Sequence, residues 1–285
     1  MNIGILVDSA SGFKVEELKD VNIELIPLHI ILPDGNDFLD TPELAKEFNF
    51  LDRLKNKEDI KTSQASPGEL EQKYDEMLGK YDHIIHITIT KNISSMNATA
   101  QMVANDEKYK NKITILEHNM AANGLKRMAL YLDKMIKDGL ELDKIIKEAA
   151  IIEKESYLGI VPGDLAKLAR GGRAKAIIIK LLNIMKTKLL IHWLEKPKNE
   201  ASGRTITQVT EKLLKILKKK YGSTHYTITF VHTAETNPRY VSSAQKVLDD
   251  AKISYITEEL PNIYAAHAGV ETIGFIVLPN KYFID

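Results

Sequence analysis

Short apolar runs alternate with amphipathic segments along almost the whole chain, and few architectures tolerate that rhythm. The first run, Ile3-Gly4-Ile5-Leu6-Val7, is continuously apolar and opens into Asp8-Ser9-Ala10-Ser11-Gly12. A strand covered on both faces has no polar side to show, so such a run reads as a buried parallel strand ending in a loop. Comparable runs recur at 24–32, 83–89, 113–116, 157–161, 189–194, 226–231, 253–256 and 272–278. Between them the helical period predicts helices over 13–19, 42–56, 67–80, 95–107, 120–137, 141–154, 174–185, 205–220 and 237–250. This alternation predicts an α/β protein with mainly parallel sheets. Near Glu153 to Ser156 a helix passes into a strand. Beyond it come longer excursions, such as Arg170-Gly171-Gly172-Arg173 and the polar stretch 195–204. We therefore expect two α/β domains, residues 1–155 and 156–285.

A chain of 285 residues is long enough for about two cores. Lys plus Arg equals Asp plus Glu at 39 each, so no global field draws the chain to nucleic acid or an anionic membrane. The one dense basic run, Lys215 with Lys218, Lys219 and Lys220, closes an amphipathic helix, where cations favour the dipole. Nucleic-acid binding is not expected. Cysteine is absent, which removes disulfides, thiolate nucleophiles and cysteine zinc sites, and fits a reducing compartment. Met1 leads directly into a strand, and no apolar run approaches the ~20 residues that cross a bilayer. The expectation is a cytoplasmic protein that is not an integral membrane protein. His83 and His86 fall on opposite faces of their strand, so they cannot share a metal, and no metal site is expected.

The stretch Thr62-Ser63-Gln64-Ala65-Ser66-Pro67 is a hydroxyl-rich turn entering a predicted helix at Pro67. Proline suits the first helical position, Ser66 is a natural N-cap, and free N–H groups of a first turn attract anions. The same pair is equally an ordinary helix start in which Ser66 caps only its own helix. In Asn92-Ile93-Ser94-Ser95-Met96-Asn97, Ser94 or Ser95 can cap the next helix, with or without an anion above it. These loops, with 8–12 and 267–269, follow strands, and α/β proteins gather ligands at the C-terminal ends of strands. No G-x-x-x-x-G-K-[ST] occurs and no G-x-G-x-x-G follows a strand, so neither standard Gly-rich loop supports ATP or NAD binding. The G-x-S-x-G elbow of a serine hydrolase is also missing. Arg170 and Arg173 flank two glycines that permit tight backbone geometry; they can grip an anion, a partner domain or nearby acids.

Taken together and in this order, the loops resemble the DegV family of bacterial fatty-acid-binding proteins over essentially the full chain. Asp8-Ser9 is similar to the family's N-terminal D-S, and residues 62–67 resemble its T-S-Q-P-S-P with Ala65 replacing proline. Residues 93–101 resemble S-S-x-L-S-G-T-Y-Q, with Ser94, Thr99 and Gln101 retained and Asn97 and Ala98 in place of Ser-Gly. Arg170 to Arg173 matches R-G-G-R, and Arg204 sits where the family places an arginine after its central strand and turn. His267-Ala268-Gly269 resembles the start of H-T-G-P-G, with Val270 and Glu271 replacing Pro-Gly. Glu271 brings a negative charge close to the expected anion, a change that bears on ligand selectivity or partner docking.

The resemblance implies a protein that holds one long-chain fatty acid, such as palmitate, stearate or oleate, in an apolar tunnel near the domain interface. It implies no cofactor and no catalytic residue. Its implied ligand contacts are Thr62, Ser63, Ser94, Ser95, Asn97, Ala98, His267, Ala268 and Gly269. The implied partner is a separate fatty acid kinase that uses ATP to make an acyl phosphate. Arg170, Arg173, Arg204 and His267 would serve that partner or the phosphoryl transfer. Burial of roughly 15 methylenes at about 0.8 kcal/mol each gives a gross term near 12 kcal/mol, before ordering costs. Apolar segments 176–185 and 213–217 are candidate tunnel walls as well as candidate core. An alternative is an α/β enzyme acting on a small anionic or phosphorylated metabolite, which calls for a short polar pocket. A third is a degenerate relative kept for protein interaction.

Overall fold

The computed structural model describes residues 1–171, 187–193 and 195–283. Arg173, the expected helix 174–185 with its candidate tunnel wall, and Leu194 lie outside the described residues. The first apolar run forms β1 (Ile3–Asp8), in a four-stranded parallel sheet ordered β2 (Ile23–Ile26), β1, β6 (His83–Ile87) and β7 (Ile113–Ile115). Its continuous hydrophobicity has a direct cause. Leu6 and Ile84 pack under α3 (Pro67–Leu78) and α4 (Met96–Ala104), whereas Ile5, Val7, Ile85 and Ile87 face α5 (Asn123–Lys137) and α6 (Leu142–Glu155).

Two expected elements are divided. The run 24–32 breaks at Pro27, which has no N–H for a ladder; beyond it β3 (His29–Ile31) leaves the parallel sheet. It pairs antiparallel with β4 (Asp37–Leu39) and β5 (Lys61–Ser63). The helix expected over 42–56 becomes α1 (Pro42–Glu47) and α2 (Phe50–Lys55), parted at Asn49, whose φ of 51° is left-handed. Asparagine tolerates that region better than most residues.

The second sheet is ordered β10 (Lys198–Gly203), β9 (Lys188–His192), β8 (Tyr157–Val161), β13 (Ile273–Pro279), β11 (Tyr226–His232), β12 (Tyr255–Glu259). Within it β11 and β12 pair in parallel and the other pairings are antiparallel. The α/β class therefore stands, but the expectation of mainly parallel sheets holds for the first sheet and fails for this one. An apolar run reports that both faces are covered, not which way the neighbour points. The polar stretch 195–204, expected as an excursion, contains edge strand β10, returned from β9 by a turn too short for a parallel crossover.

The two faces of this sheet have different neighbours. Tyr157, Leu190, Phe230, Phe275 and Val277 pack against α8 (Ile206–Tyr221) and α9 (Pro238–Asp250) in a closed core. Leu213 and Leu217 sit there, so segment 213–217 is core and not tunnel wall. On the opposite face Leu158, Leu189, Ile191, Trp193, Val231 and Ile276 join the cluster that contains Leu6, Leu70 and Ile84 of the first half. Polar links cross the same junction. Asn262 donates to Asp40 Oδ1 at 3.0 Å, and Lys126 and Arg127 of α5 pair with Glu258 of β12. Among the described residues no helix is long and apolar enough to cross a membrane.

Candidate functional site

A cavity lies on that second face, with about 940 Å³ of empty space when the solvent in its open mouth is counted. Leu158, Ile160, Val231 and Ile276 of the sheet line it, with Ile263 of α10 (Asn262–Ala268) and Leu168 of α7 (Leu165–Arg170). Its polar lining comes from three of the loops singled out in the sequence: Thr62, Ser63 and Gln64; Ser94; and His267.

Thr62 was expected in a turn and lies in β5, opposite Ile30 of β3. The ladder fixes its direction, and its Oγ1 shares a 2.7 Å hydrogen bond with Nε2 of His267, in the last turn of α10. Gly269 ends that helix at φ 89°, so close to Asp164 that an added Cβ would lie 2.9 Å from the Asp164 Cβ. Only glycine fits there without strain. Ser63 Oγ donates to the Gln64 carbonyl at 3.0 Å, and Gln64 Nε2 donates to Thr99 Oγ1 at 2.6 Å. Ser94 Oγ accepts from Met96 N at 3.1 Å, so Ser94 holds the first N–H of α4 while it lines the cavity, and Ser95 at the N-cap makes no side-chain cap.

Other expected contacts lie elsewhere. Ala268 lines the cavity, but Ser95, Asn97, Ala98 and Gly269 do not. Ser95 and Ala98 are exposed, whereas Asn97 is buried and donates to Thr88 Oγ1 and to the Leu116 carbonyl, bracing α4 on the sheet. Arg170 is exposed at the end of α7, and Arg204 is exposed with its backbone N–H bonded to Gln208 Oε1; neither reaches the cavity lining, nor does Glu271. Ser66 behaves as a plain helix cap. Its Oγ accepts from Glu69 N, and the Glu69 carboxylate accepts from Ser66 N at 2.7 Å, so the helix's own acid serves its N-terminus.

The Asp8-Ser9 pair lies beneath the site as a brace. Asp8 accepts from Ile89 N at 2.6 Å and Ala10 N at 3.1 Å, and burial pushes its carboxyl up to about 7. Ser9 donates to Asp40 Oδ2 at 2.7 Å, which links the end of β1 through Asn262 to the helix carrying His267. Several lining residues escaped the sequence reading, Tyr264 and Trp193 among them. Tyr264 lies in a helix too short for its period to register, and its hydroxyl accepts from the N–H of Ala122. Ala122 itself holds φ 51° and ψ −145°, a conformation costly for any residue with a Cβ. Trp193 directly follows an apolar strand, where its ring reads as ordinary core.

Chemically, the Thr62–His267 pair is a steerable donor. When His267 Nε2–H donates to Thr62 Oγ1, the hydroxyl keeps its own proton for a ligand oxygen; the other tautomer spends that proton on the ring. A carboxylate matches the first arrangement. Among the described residues no three His, Asp or Glu side chains group as metal ligands.

Comparison with known proteins gives one consistent result. The family described as "Uncharacterised protein, DegV family" matches residues 2–280. A DegV domain-containing protein of Staphylococcus aureus (strain COL) is 27% identical over 279 residues, covering 96% of this chain and 98% of that protein. A structure described as fatty acid binding of a DegV family protein from Thermus thermophilus superposes with TM-score 0.87 at 21% identity, over 98% of this chain and 100% of that one. A stearic acid-binding protein from Eubacterium ventriosum superposes with TM-score 0.84 at 17% identity, over 98% of this chain and 99% of that one. These solved structures share the fold, and a match spanning residues 2–280 makes this chain a member of the DegV family.

Proposed function

We propose that the chain binds one long-chain fatty acid, its acyl chain along the apolar wall of the cavity and its carboxylate at Thr62, with His267, Ser63 and Ser94 beside it. The observation that carries this reading is the Thr62–His267 hydrogen bond set in a cavity whose sheet-borne wall is Leu158, Ile160, Val231 and Ile276. Fatty acid binding by relatives of the same fold supports it. A small phosphorylated metabolite would need polar walls where these side chains are apolar.

On this reading the chain is a two-domain carrier of the cytoplasm, divided near residue 155, without a nucleotide site of its own. It presents the carboxylate to a separate ATP-dependent kinase that forms the acyl phosphate. Exposed Arg170 and Arg204, away from the cavity lining, are available for that partner or for charge developing during phosphoryl transfer, as is Arg173 by its position in the sequence. Native mass spectrometry of the protein purified from cells tests the carrier step. One stoichiometric long-chain fatty acid supports it; repeated recovery of empty protein that also ignores added palmitate or oleate overturns it. Acyl-phosphate formation with a cognate kinase tests the second step. Arg170→Ala with Arg204→Ala should abolish that product and leave lipid binding intact.

A further inference from the structure

Residues 64–66 link β5, which carries Thr62 and Ser63, to α3. Gln64 of this link lines the cavity, and Ala65 is buried. His29 of β3 stands opposite Ser63, one place along from the Ile30–Thr62 pair. Its ring lies between two acids: Nδ1 is 2.8 Å from Oδ1 of Asp37 in β4, and Nε2 is 3.0 Å from Oε1 of Glu69 in α3. Glu69 in turn accepts from the N–H and the hydroxyl of Ser66, both at 2.7 Å. The ladder between β3 and β5 thus holds one end of the link, and the His29 side chain, through Glu69, holds the other. A neutral imidazole has one N–H and one lone pair, so it satisfies only one of two carboxylates; the imidazolium donates to both. Neither acid pairs with another cation among the described residues. Lys73, four places beyond Glu69, pairs with Glu24 and Glu76, and Lys61, on the His29 face of β5, is exposed and pairs with neither. Burial opposes charge on the ring, but the bonds to Asp37 and Glu69 outweigh it and raise its pKa above the usual value.

We propose that His29 is a positioning residue of the carboxylate site: as an imidazolium it ties Asp37 to Glu69, holds residues 62–66 in the form that receives the ligand, and so takes up its proton and the ligand cooperatively. The proposal rests on the fatty-acid reading above and adds a regulator to it, the proton. A link already held in place spares the ligand the cost of ordering it. Loss of the proton releases one acid from the ring and with it that restraint. Affinity is then full where His29 is charged and declines as pH rises through its pKa. By linkage, bound ligand must hold the His29 proton more tightly by the same factor.

The test is a nuclear magnetic resonance titration of the wild-type imidazoles with and without stearate, beside stearate affinities measured from about pH 6 to 9. The acid dissociation constant of His29 is expected to fall roughly three- to tenfold on loading, and stearate affinity to fall by the same factor across that range, the size of one hydrogen bond. His29→Gln keeps a donor and an acceptor but cannot titrate. It identifies the His29 signals and should lose this part of the decline, whereas any part due to His267 or to the carboxyl of the ligand remains. A histidine that only supported the fold would instead lower affinity in His29→Gln equally at every pH. Asp37→Asn, at an acid whose side chain is 50% exposed, serves as a second variant if the first does not fold: with one acid gone the decline should move to lower pH. An equal His29 dissociation constant with and without stearate overturns the proposal, as does a decline unchanged in either variant. Should stearate bind without changing the His29 titration, this proposal alone fails; should stearate bind at no pH, the carrier reading falls and takes this proposal with it.

Discussion

The two faces of the six-stranded sheet are built from the same strands and nearly the same residues, yet one closes and the other does not. On the closed face Phe230 and Phe275 lie with ring centroids 5.4 Å apart, and two helices cover them. On the other face Val231 packs over Gly274, and both line the cavity floor. Hydrophobic content does not separate a core from a cavity wall. The difference lies in what covers each face: two helices close one, whereas segments that bring Thr62, Ser63, Ser94 and His267 line the other.

The most forceful way to break this contrast is Phe230→Ala. Loss of a fully buried ring should cost about 3–5 kcal/mol in denaturant unfolding while the folded fraction keeps its ligand affinity. A fall in affinity to match would mean that the closed face also shapes the pocket. Thr62→Ala should do the reverse. A hydrogen bond to a charged oxygen is worth about 1.5–3 kcal/mol, so carboxylate affinity should fall roughly ten- to a hundredfold with little change in unfolding midpoint.

Glycines on opposite faces sharpen the comparison. A Cβ at Gly274 would lie 2.7 Å from Val231 Cγ2, and at Gly159 it would lie 2.9 Å from Tyr157 Cε1. Both alanine variants should lose about 1–3 kcal/mol of stability from overpacking. Gly274→Ala alone should also shift acyl preference toward shorter chains, read from a Kd series. The same shift in Gly159→Ala would erase the distinction.

The smallest expected effect concerns protons held in closed regions. Burial pushes the imidazoles of His86 and His118 down to about 3 and 4. The unfolded chain binds their protons below about pH 6.5 while the folded one does not, so stability falls as pH drops from there toward 4. Asp8, held up at about 7, has the opposite sign: folded protein keeps its proton between about pH 4 and 7, which favours folding on the acid side. Asp8→Asn should therefore steepen the fall of unfolding free energy between pH 6.5 and 4.5, by up to about 1.4 kcal/mol per pH unit. An unchanged slope would show that Asp8 is ionised in the folded chain.

What the sequence made legible follows from which forces are local. Long amphipathic segments became α5, α6, α8 and α9 nearly where the helical period set them, because each buries one face. Strand direction in the second sheet was not legible, since β8 and β13 are apolar on both faces whichever way they run. The short turn from β9 to β10 was the one antiparallel signal, hidden because edge strand Lys198–Gly203 reads as polar. Thr62, Ser94 and His267 were singled out through ordered motifs, and the fold brings them to the lining of one cavity. Trp193 and Tyr264 could not be found that way: Trp193 follows an apolar strand and reads as core, and Tyr264 lies in a helix too short for its period to register.

The apolar cluster that runs unbroken from Leu6 and Leu70 to Leu158 and Ile276 makes the cavity a gap in the seam between the two halves. An acyl chain seated there would act as mortar, and ligand that binds only the folded state adds RT ln(1 + [L]/Kd), about 2.7 kcal/mol at a hundredfold excess over Kd. Loaded and empty molecules would then differ in lifetime, the empty ones opening more often to proteases. The amount of this protein in a cell would thereby track its supply of lipid without any dedicated sensor.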